Sequence, residues 1–170
     1  MNGKLKAESG KLYTAFTNST GVTTDSRKIE VGALFFALHG ASFDGNDYAI
    51  AALEQGASAA VIDRKDIYDN SPQYSERLIL VEDTLQALQA LAQEHRRQLA
   101  IPIIAIAGSN GKTTTKELVS RVLAERFEVT TTKGNLNNHI GVPLTLLAMT
   151  AETEFGVVEM GASAQGEIAL

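Results

Sequence analysis

Short apolar runs alternate along this chain with stretches whose apolar positions recur every three or four residues. Residues 33–38 (Ala33, Leu34, Phe35, Phe36, Ala37, Leu38) contain no polar member and read as a strand, followed by a Gly/Asp-rich loop at 39–47. Residues 48–55 have helical spacing, and Gly56 stands where a helix ends on a left-handed residue. Residues 59–63 and 78–81 read as two further short buried strands. Asp83 or Thr84 can cap the helix that runs on to about Leu99, in which Leu85, Leu88, Leu91 and Ala92 form the single stripe of a helix packed on a sheet.

The pattern then restarts. Residues 103–107 are wholly apolar, and a glycine loop follows them. A helix is expected at 112–126, a strand at 128–132, a helix at 142–149 and a strand at 155–160, with another helix opening at 166–170. Strands that alternate with helices and are apolar on both faces predict an α/β fold with parallel sheets covered on both sides. The polar, basic end of the long helix at 94–98 marks a boundary, giving domains at 1–99 and 100–170. Three strands would leave the second sheet thin with an exposed edge, so a continuation past Leu170 is expected.

Composition narrows the classes of function. The 170 residues carry a formal net charge of -5, with no cluster of Lys or Arg to neutralise phosphates, which argues against a nucleic-acid partner. Cysteine is absent, so neither disulfides nor thiolate metal sites are available, as suits a cytoplasmic protein. Lys4, Lys6 and Lys11 precede no apolar run, and the aliphatic stretch 101–107 is too short to cross a bilayer; neither a secretory signal nor a membrane anchor is expected. The sequon at Asn18 is therefore taken as chance. His39, His95 and His139 stand apart from any partner at metal-ligand spacing. His95, among Glu94, Arg96 and Arg97, is expected to be a solvated or helix-capping residue, and Asp63, Asp66 and Asp83 to be caps and loop formers.

The strongest chemical signal is Gly108, Ser109, Asn110, Gly111, Lys112, Thr113 and Thr114, set between an apolar strand and an amphipathic helix. Glycines let successive backbone N–H groups turn toward one anion, and the helix start adds partial positive charge. Lys112 would neutralise the β- and γ-phosphates of ATP, and the Thr113 hydroxyl would hold Mg²⁺. The usual pattern places a glycine five residues before the second one, where this chain has Ile106, so the loop is a shortened form. Glu159 ends the apolar strand at 155–158, and a carboxylate at such a strand end can reach the same ion.

These stretches together resemble the Mur ligases, whose phosphate loop has the same shortened form. Thr24, Asp25, Ser26 and Arg27, then residues 32–38, then Phe43, Asp44 and Gly45 resemble the start of that family's UDP-sugar-binding domain. Gly134, Asn135, Leu136, Asn137 and Asn138, continuing through Ile140, Gly141, Val142, Pro143 and Leu144, resemble the branch that adds D-alanyl-D-alanine. Residues 159–163 and 166–168 match that branch too. The resemblance implies a UDP-sugar-binding domain at 1–99 followed by the start of a P-loop ATPase domain at 100–170. It also implies a cytoplasmic, monomeric, ATP-dependent amide ligase for peptidoglycan precursors, with UDP-N-acetylmuramoyl-tripeptide and D-alanyl-D-alanine as substrates.

Carried over residue by residue, the resemblance gives Ser26, Arg27, Phe43, Asp44, Gly45 and Asn46 to the UDP moiety. Asn137 and Asn138 would lie near the γ-phosphate and the muramoyl peptide, with Lys112 and Asn138 acting in catalysis and Thr113 and Glu159 holding Mg²⁺. Asparagines that simply form a turn before a helix are the alternative for Asn137 and Asn138. The family's carbamylated lysine, second metal ligands, adenine pocket and dipeptide-binding domain would fall beyond Leu170, so these 170 residues are not expected to catalyse the whole reaction. Two other readings stay open: the sibling ligase that adds the third amino acid, which normally has a threonine-rich motif at this position, and a stand-alone nucleotide-binding module.

Overall fold

The computed structural model describes residues 3–161. They fall into two compact units, Met1–Leu91 and Ala92–Leu170. The division lies inside a long helix, about two turns before the boundary expected at 99/100.

In the first unit, helix α1 (Gly3–Thr17) buries Leu12 and Phe16, one turn apart on its inner side. Four strands follow: β1 (Val22–Thr23), β2 (Leu34–Phe36), β3 (Ala59–Ile62) and β4 (Leu78–Leu80). All pair in parallel, in the order β1-β2-β3-β4. A 3-10 turn (Gly45–Tyr48) and helix α2 (Ala49–Glu54) connect β2 to β3, and helix α3 (Lys65–Asp69) with a second 3-10 turn (Pro72–Tyr74) connects β3 to β4. The core is built from Phe35, Ala37, Ala49, Ala52, Leu53, Ala57, Ala60, Ile62 and Leu78. Small alanines on α2 let the helix lie close to the sheet, where the larger Phe35 and Leu53 fill the space between. Arg77 fastens the far end of α2, donating to the Leu53 carbonyl at 2.9 Å and the Ser58 carbonyl at 3.3 Å.

Helix α4 (Thr84–Leu99) starts on Asp83, whose Oδ1 accepts from the Gln86 backbone N–H at 2.8 Å. Of the two residues expected as caps, Asp83 takes the role. Leu88, Leu91 and Ala92 are buried as the stripe requires. His95 is buried as well, and its Nε2 lies 2.9 Å from the Met149 carbonyl. This corrects the expectation of a solvated histidine: it continues the stripe one turn beyond Leu91 and Ala92, and helical phase outweighs its charged neighbours.

The second unit holds β5 (Ile103–Ala107), α5 (Lys112–Ala124), β6 (Val129–Thr131), α6 (Gly141–Leu147) and β7 (Phe155–Met160). The three strands are parallel in the order β5-β7-β6. Central β7 is buried through Gly156, Val157, Val158 and Glu159. Among the described residues β5 pairs only with β7, and Ile104 is 36% exposed. The two-sided covering expected for β5 is therefore incomplete among the described residues. The helix expected at 166–170 and the matching stretches at 162–163 and 166–168 lie outside the described residues.

Candidate functional site

The chain leaves β5 at Ala107 and re-enters regular structure at Lys112, the first residue of α5. Gly111, at the N-cap of α5, has φ 74° and ψ 1°. No atom lies within 4 Å of where a Cβ would stand, so glycine is needed there for its backbone, not for room. The turn leaves Gly108, Ser109, Asn110, Gly111, Thr113 and Thr114 exposed around the start of a helix of 13 residues with no acid in its first turn. Lys112 folds over the same turn, its Nζ donating to the Gly108 carbonyl at 2.7 Å and the Ser109 carbonyl at 3.4 Å. An anion seated on the turn would offer that ammonium a charge-assisted bond in place of neutral carbonyls.

Parallel register sets Glu159 of β7 beside Ile106 of β5, two residues before the loop begins. Glu159 is only 2% exposed. Its Oε1 accepts from the Asn137 amide at 2.9 Å, whereas its Oε2 is buried with no hydrogen-bond partner. A carboxylate oxygen left in that condition is costly unless a cation or a proton completes it. A hard divalent cation such as Mg²⁺ fits this oxygen, since it takes oxygen ligands from one or two carboxylates and shares the remainder with phosphate and water. Among the described residues there is no group of three or more His, Cys, Asp or Glu that could hold a metal alone. An ion here would take the rest of its shell from other oxygen donors, such as water, hydroxyl or phosphate.

Two residues not picked out from the sequence support Glu159. Buried Thr132 accepts the Glu159 backbone N–H on Oγ1 at 2.9 Å. Lys116, one turn past Lys112 and also buried, donates to the Thr132 carbonyl at 2.8 Å and lies 3.0 Å from Glu117 Oε1. Helical spacing placed Lys116 on the inward face, but its target lies across the fold.

The paired asparagines divide their work. Asn138 Oδ1 accepts from the backbone N–H groups of Ile140 at 3.1 Å and Gly141 at 2.8 Å, which caps the approach to α6. A Cβ on Gly141 would fall 2.3 Å from the Leu136 carbonyl carbon, so the turn closes only on glycine. The turn-forming alternative thus describes Asn138 Oδ1, while Asn137 reaches the carboxylate.

In the first unit, exposed Arg27 forks onto Asp25, with Nε to Oδ1 at 2.8 Å and Nη2 to Oδ2 at 2.9 Å. That guanidinium, with the Arg27 backbone N–H, holds the Asp25 carboxyl down at about 2. Ser26 is half-buried between them. Phe43 is 56% exposed and packs against Gly40, where an added Cβ would be 2.1 Å from the ring. Gly45 is buried under the Leu38 carbonyl, which an added Cβ would meet at 2.5 Å.

Asn46 departs from its expected role at the diphosphate. It is 1% exposed, and its amide nitrogen donates to Asp44 Oδ1 at 2.7 Å and Asp63 Oδ1 at 2.8 Å, while its oxygen accepts the Asp63 N–H at 3.1 Å. Both donor hydrogens are used internally, so the side chain ties two loops together and has none left for a ligand. Asp63 is the hub of this cluster, also taking Nε2 of His39 at 3.0 Å and the N–H and hydroxyl of buried Thr84, each at 3.2 Å. Burial alone would raise the Asp63 carboxyl, but the bonds from Asn46, Thr84 and His39 outweigh it and hold it below the usual range. His39 is raised in turn, chiefly by its bond to Asp63. Asp63 is thus more than the loop former expected. It sits at the C-terminal end of β3 as Glu159 does on β7, a strand-end position that could have drawn attention to it.

Residues 106–170 match the Mur ligase middle domain, and residues 18–96 match the catalytic domain of the Mur ligase family. The chain is 49% identical over 150 residues to the UDP-N-acetylmuramoyl-tripeptide--D-alanyl-D-alanine ligase of Bacillus subtilis, covering 88% of this chain and 32% of that protein. The enzyme of the same name from Escherichia coli is 42% identical over 160 residues, covering 94% and 34%. Among solved structures, MurF from Acinetobacter baumannii superposes with a TM-score of 0.79 at 35% identity, covering 94% of this chain and 37% of that one. MurF ligase from Thermotoga maritima in complex with ADP gives 0.77 at 34% identity, covering 91% and 34%. The chain spans about a third of the length of the curated relatives it matches. Its glycine turn, its strand-end glutamate and both matched domains agree: the chain belongs to the Mur ligase family.

Proposed function

We propose that this chain supplies the nucleotide-sugar-binding domain and the first part of the ATP-binding domain of a ligase joining D-alanyl-D-alanine to UDP-N-acetylmuramoyl-tripeptide. The observation that carries the reading is Glu159, one of whose oxygens is buried without a partner at a strand end beside the glycine turn. Relatives of that name at 49% and 42% identity support the choice of substrates. A cytoplasmic, monomeric enzyme goes with this reading.

Two polyanions, ATP and the UDP-tripeptide, must meet a zwitterionic dipeptide in such a reaction. The terminal carboxylate of the tripeptide attacks the γ-phosphorus of ATP, giving an acyl phosphate and ADP. The dipeptide amine then attacks the acyl carbon and phosphate leaves. Gly108, Ser109, Asn110, Gly111 and Thr114 would surround the phosphates with backbone and hydroxyl donors, and Lys112 would leave its loop carbonyls to balance the charge on the β- and γ-oxygens. Thr113 and Glu159 would hold Mg²⁺, which supplies charge neutralisation and alignment of the transferring phosphoryl group. Asn138, whose oxygen caps the turn, would turn its amide nitrogen toward the γ-phosphate. Ser26 and Arg27, held against Asp25, would meet the uridine diphosphate along with Phe43, Asp44 and Gly45, whereas Asn46 supports that loop from beneath.

The product of the complete reading frame should release phosphate from ATP only when UDP-tripeptide and D-alanyl-D-alanine are both present. Turnover with UDP-dipeptide and a diamino acid, and none with the first pair, would overturn the proposal. Lys112→Ala should lower kcat/KM by ~100-fold or more, since it removes the charge offset at the transferring group.

A further inference from the structure

The geometry points to Asn137 as the positioning residue of the metal-binding carboxylate, acting on the cation through Glu159 without touching nucleotide or substrate. This rests on the phosphate-and-cation reading above, and gives Asn137 a different task from the substrate contact that the family resemblance implies.

A buried carboxylate with two unoccupied oxygens can rotate about its last bond and can bind a cation through either oxygen or both. Here the Asn137 amide donates to Oε1 at 2.9 Å, and Oε2 alone is left without a partner. Asn137 is itself fixed at the backbone, its carbonyl accepting the Gly161 N–H at 2.7 Å and its own N–H reaching the Asn135 carbonyl at 2.8 Å. Gly161 follows β7 directly, so the donor is tied to the strand that carries its acceptor. A Cβ added at Gly161 would come 3.3 Å from Asn137 Oδ1, so glycine there leaves the amide room to face Glu159. From the other side, Thr132 Oγ1 holds the Glu159 N–H and buried Lys116 holds the Thr132 carbonyl. The glutamate is thus fixed in its main chain by one pair and in its carboxylate by Asn137.

The consequence is chemical. With Oε1 engaged, Glu159 presents one oxygen, the mode suited to Mg²⁺, which demands near-octahedral geometry and keeps several waters. Ca²⁺ tolerates two oxygens of one carboxylate and a larger, more irregular shell. Asn137 therefore sets both the affinity for the smaller ion and the preference for it over the larger. Outer partners of metal ligands typically contribute about 10- to 100-fold in affinity.

Manganese is the probe, because free Mn²⁺ gives a paramagnetic resonance signal that binding quenches. In the complete chain, Asn137→Leu should weaken Mn²⁺ binding in the presence of ADP by ~10-fold or more, and should narrow the advantage of Mg²⁺ over Ca²⁺ as competitors. Binding of a fluorescent ADP analogue in EDTA should change by less than about 2-fold, since Asn137 does not touch the nucleotide. Asn137→Ala provides the same reading if the larger side chain prevents folding. Unchanged Mn²⁺ affinity, or an equal loss of metal-free ADP binding, would overturn the role of Asn137 alone. If the unaltered chain takes up neither ADP nor Mn²⁺, the phosphate-site reading fails and this role fails with it.

Discussion

Replacing Asn46 with alanine tests whether this residue is a structural tie and not a ligand contact. The side chain is 1% exposed and makes three hydrogen bonds, two of them to the carboxylates of Asp44 and Asp63. Its loss would strip one donor from each carboxylate and leave the Asp63 N–H facing a small cavity. Asp63 would still be bonded by His39 and Thr84, and Asp44 by the Asn46 backbone N–H at 2.9 Å, so the carboxylates would be weakened, not stranded. Bonds to charged groups contribute about 1.5–3 kcal/mol each, and an unsatisfied buried donor costs about 1–3 kcal/mol. Because the three bonds share partners they do not add, and a total of about 3 kcal/mol is expected. Against the usual total of about 5–15 kcal/mol that is a large fraction. Urea unfolding followed by far-ultraviolet circular dichroism would read it as a lower midpoint at unchanged slope. Asn46→Asp should be worse than alanine at pH 7, where the new carboxyl group would stand between two others, and should recover part of the loss near pH 5 as that group takes a proton. A change below about 0.5 kcal/mol for the alanine variant, the level of an ordinary surface substitution, would refute the tie.

Two further outcomes are expected. His39 has a folded pKa raised above its ordinary value by Asp63, so its contribution is complete below about pH 6.5 and is lost as pH rises through the folded pKa. With the side chain 54% exposed, the size should stay under about 1 kcal/mol, and His39→Gln should flatten the fall in stability between roughly pH 6.5 and 8; an unaltered slope in that variant would exclude the pairing. Gly111→Ala places a Cβ at φ 74° with nothing for it to strike, so the penalty is conformational, about 1–2 kcal/mol, and should appear in thermal melting together with weaker ADP binding. If ADP binds the variant as before, the left-handed turn is not what shapes the loop.

What could be read from the chain depended on how local the cause was. β2, β3, β4, β5 and β7 were legible because each is a run of apolar residues too short for a helix and bounded by turn formers. The glycine turn before α5 was legible because its geometry is set within six residues. By contrast α1 gives a weak apolar stripe, β1 has two residues and α3 has five, too little periodicity to register. The mistaken view of His95 came from weighing Glu94, Arg96 and Arg97 as neighbours in sequence, when helical phase puts it on the buried face with Leu88, Leu91 and Ala92. Asn46 and Asp63 lie 17 positions apart, and no local pattern announces that their side chains meet.

The two clusters of buried polar groups differ in a way that separates structure from chemistry. Around Asp63 the amide of Asn46, the hydroxyl of Thr84 and the ring of His39 converge, and Asp63 is held ionised by protein donors alone. Such a cluster needs nothing from outside, and its energetic role is complete on folding. Around Glu159 the same logic stops one bond short: the main chain is held by Thr132 and one oxygen by Asn137, yet Oε2 is buried with no partner. Lys112, at the start of α5, donates to two neutral carbonyls of its own loop. An anion bound to the turn with a divalent ion would satisfy the ammonium and the carboxylate oxygen together, which neither can do for the other through the described contacts. On the proposed function, a bound triphosphate with its metal would stabilise the folded chain by satisfying both groups.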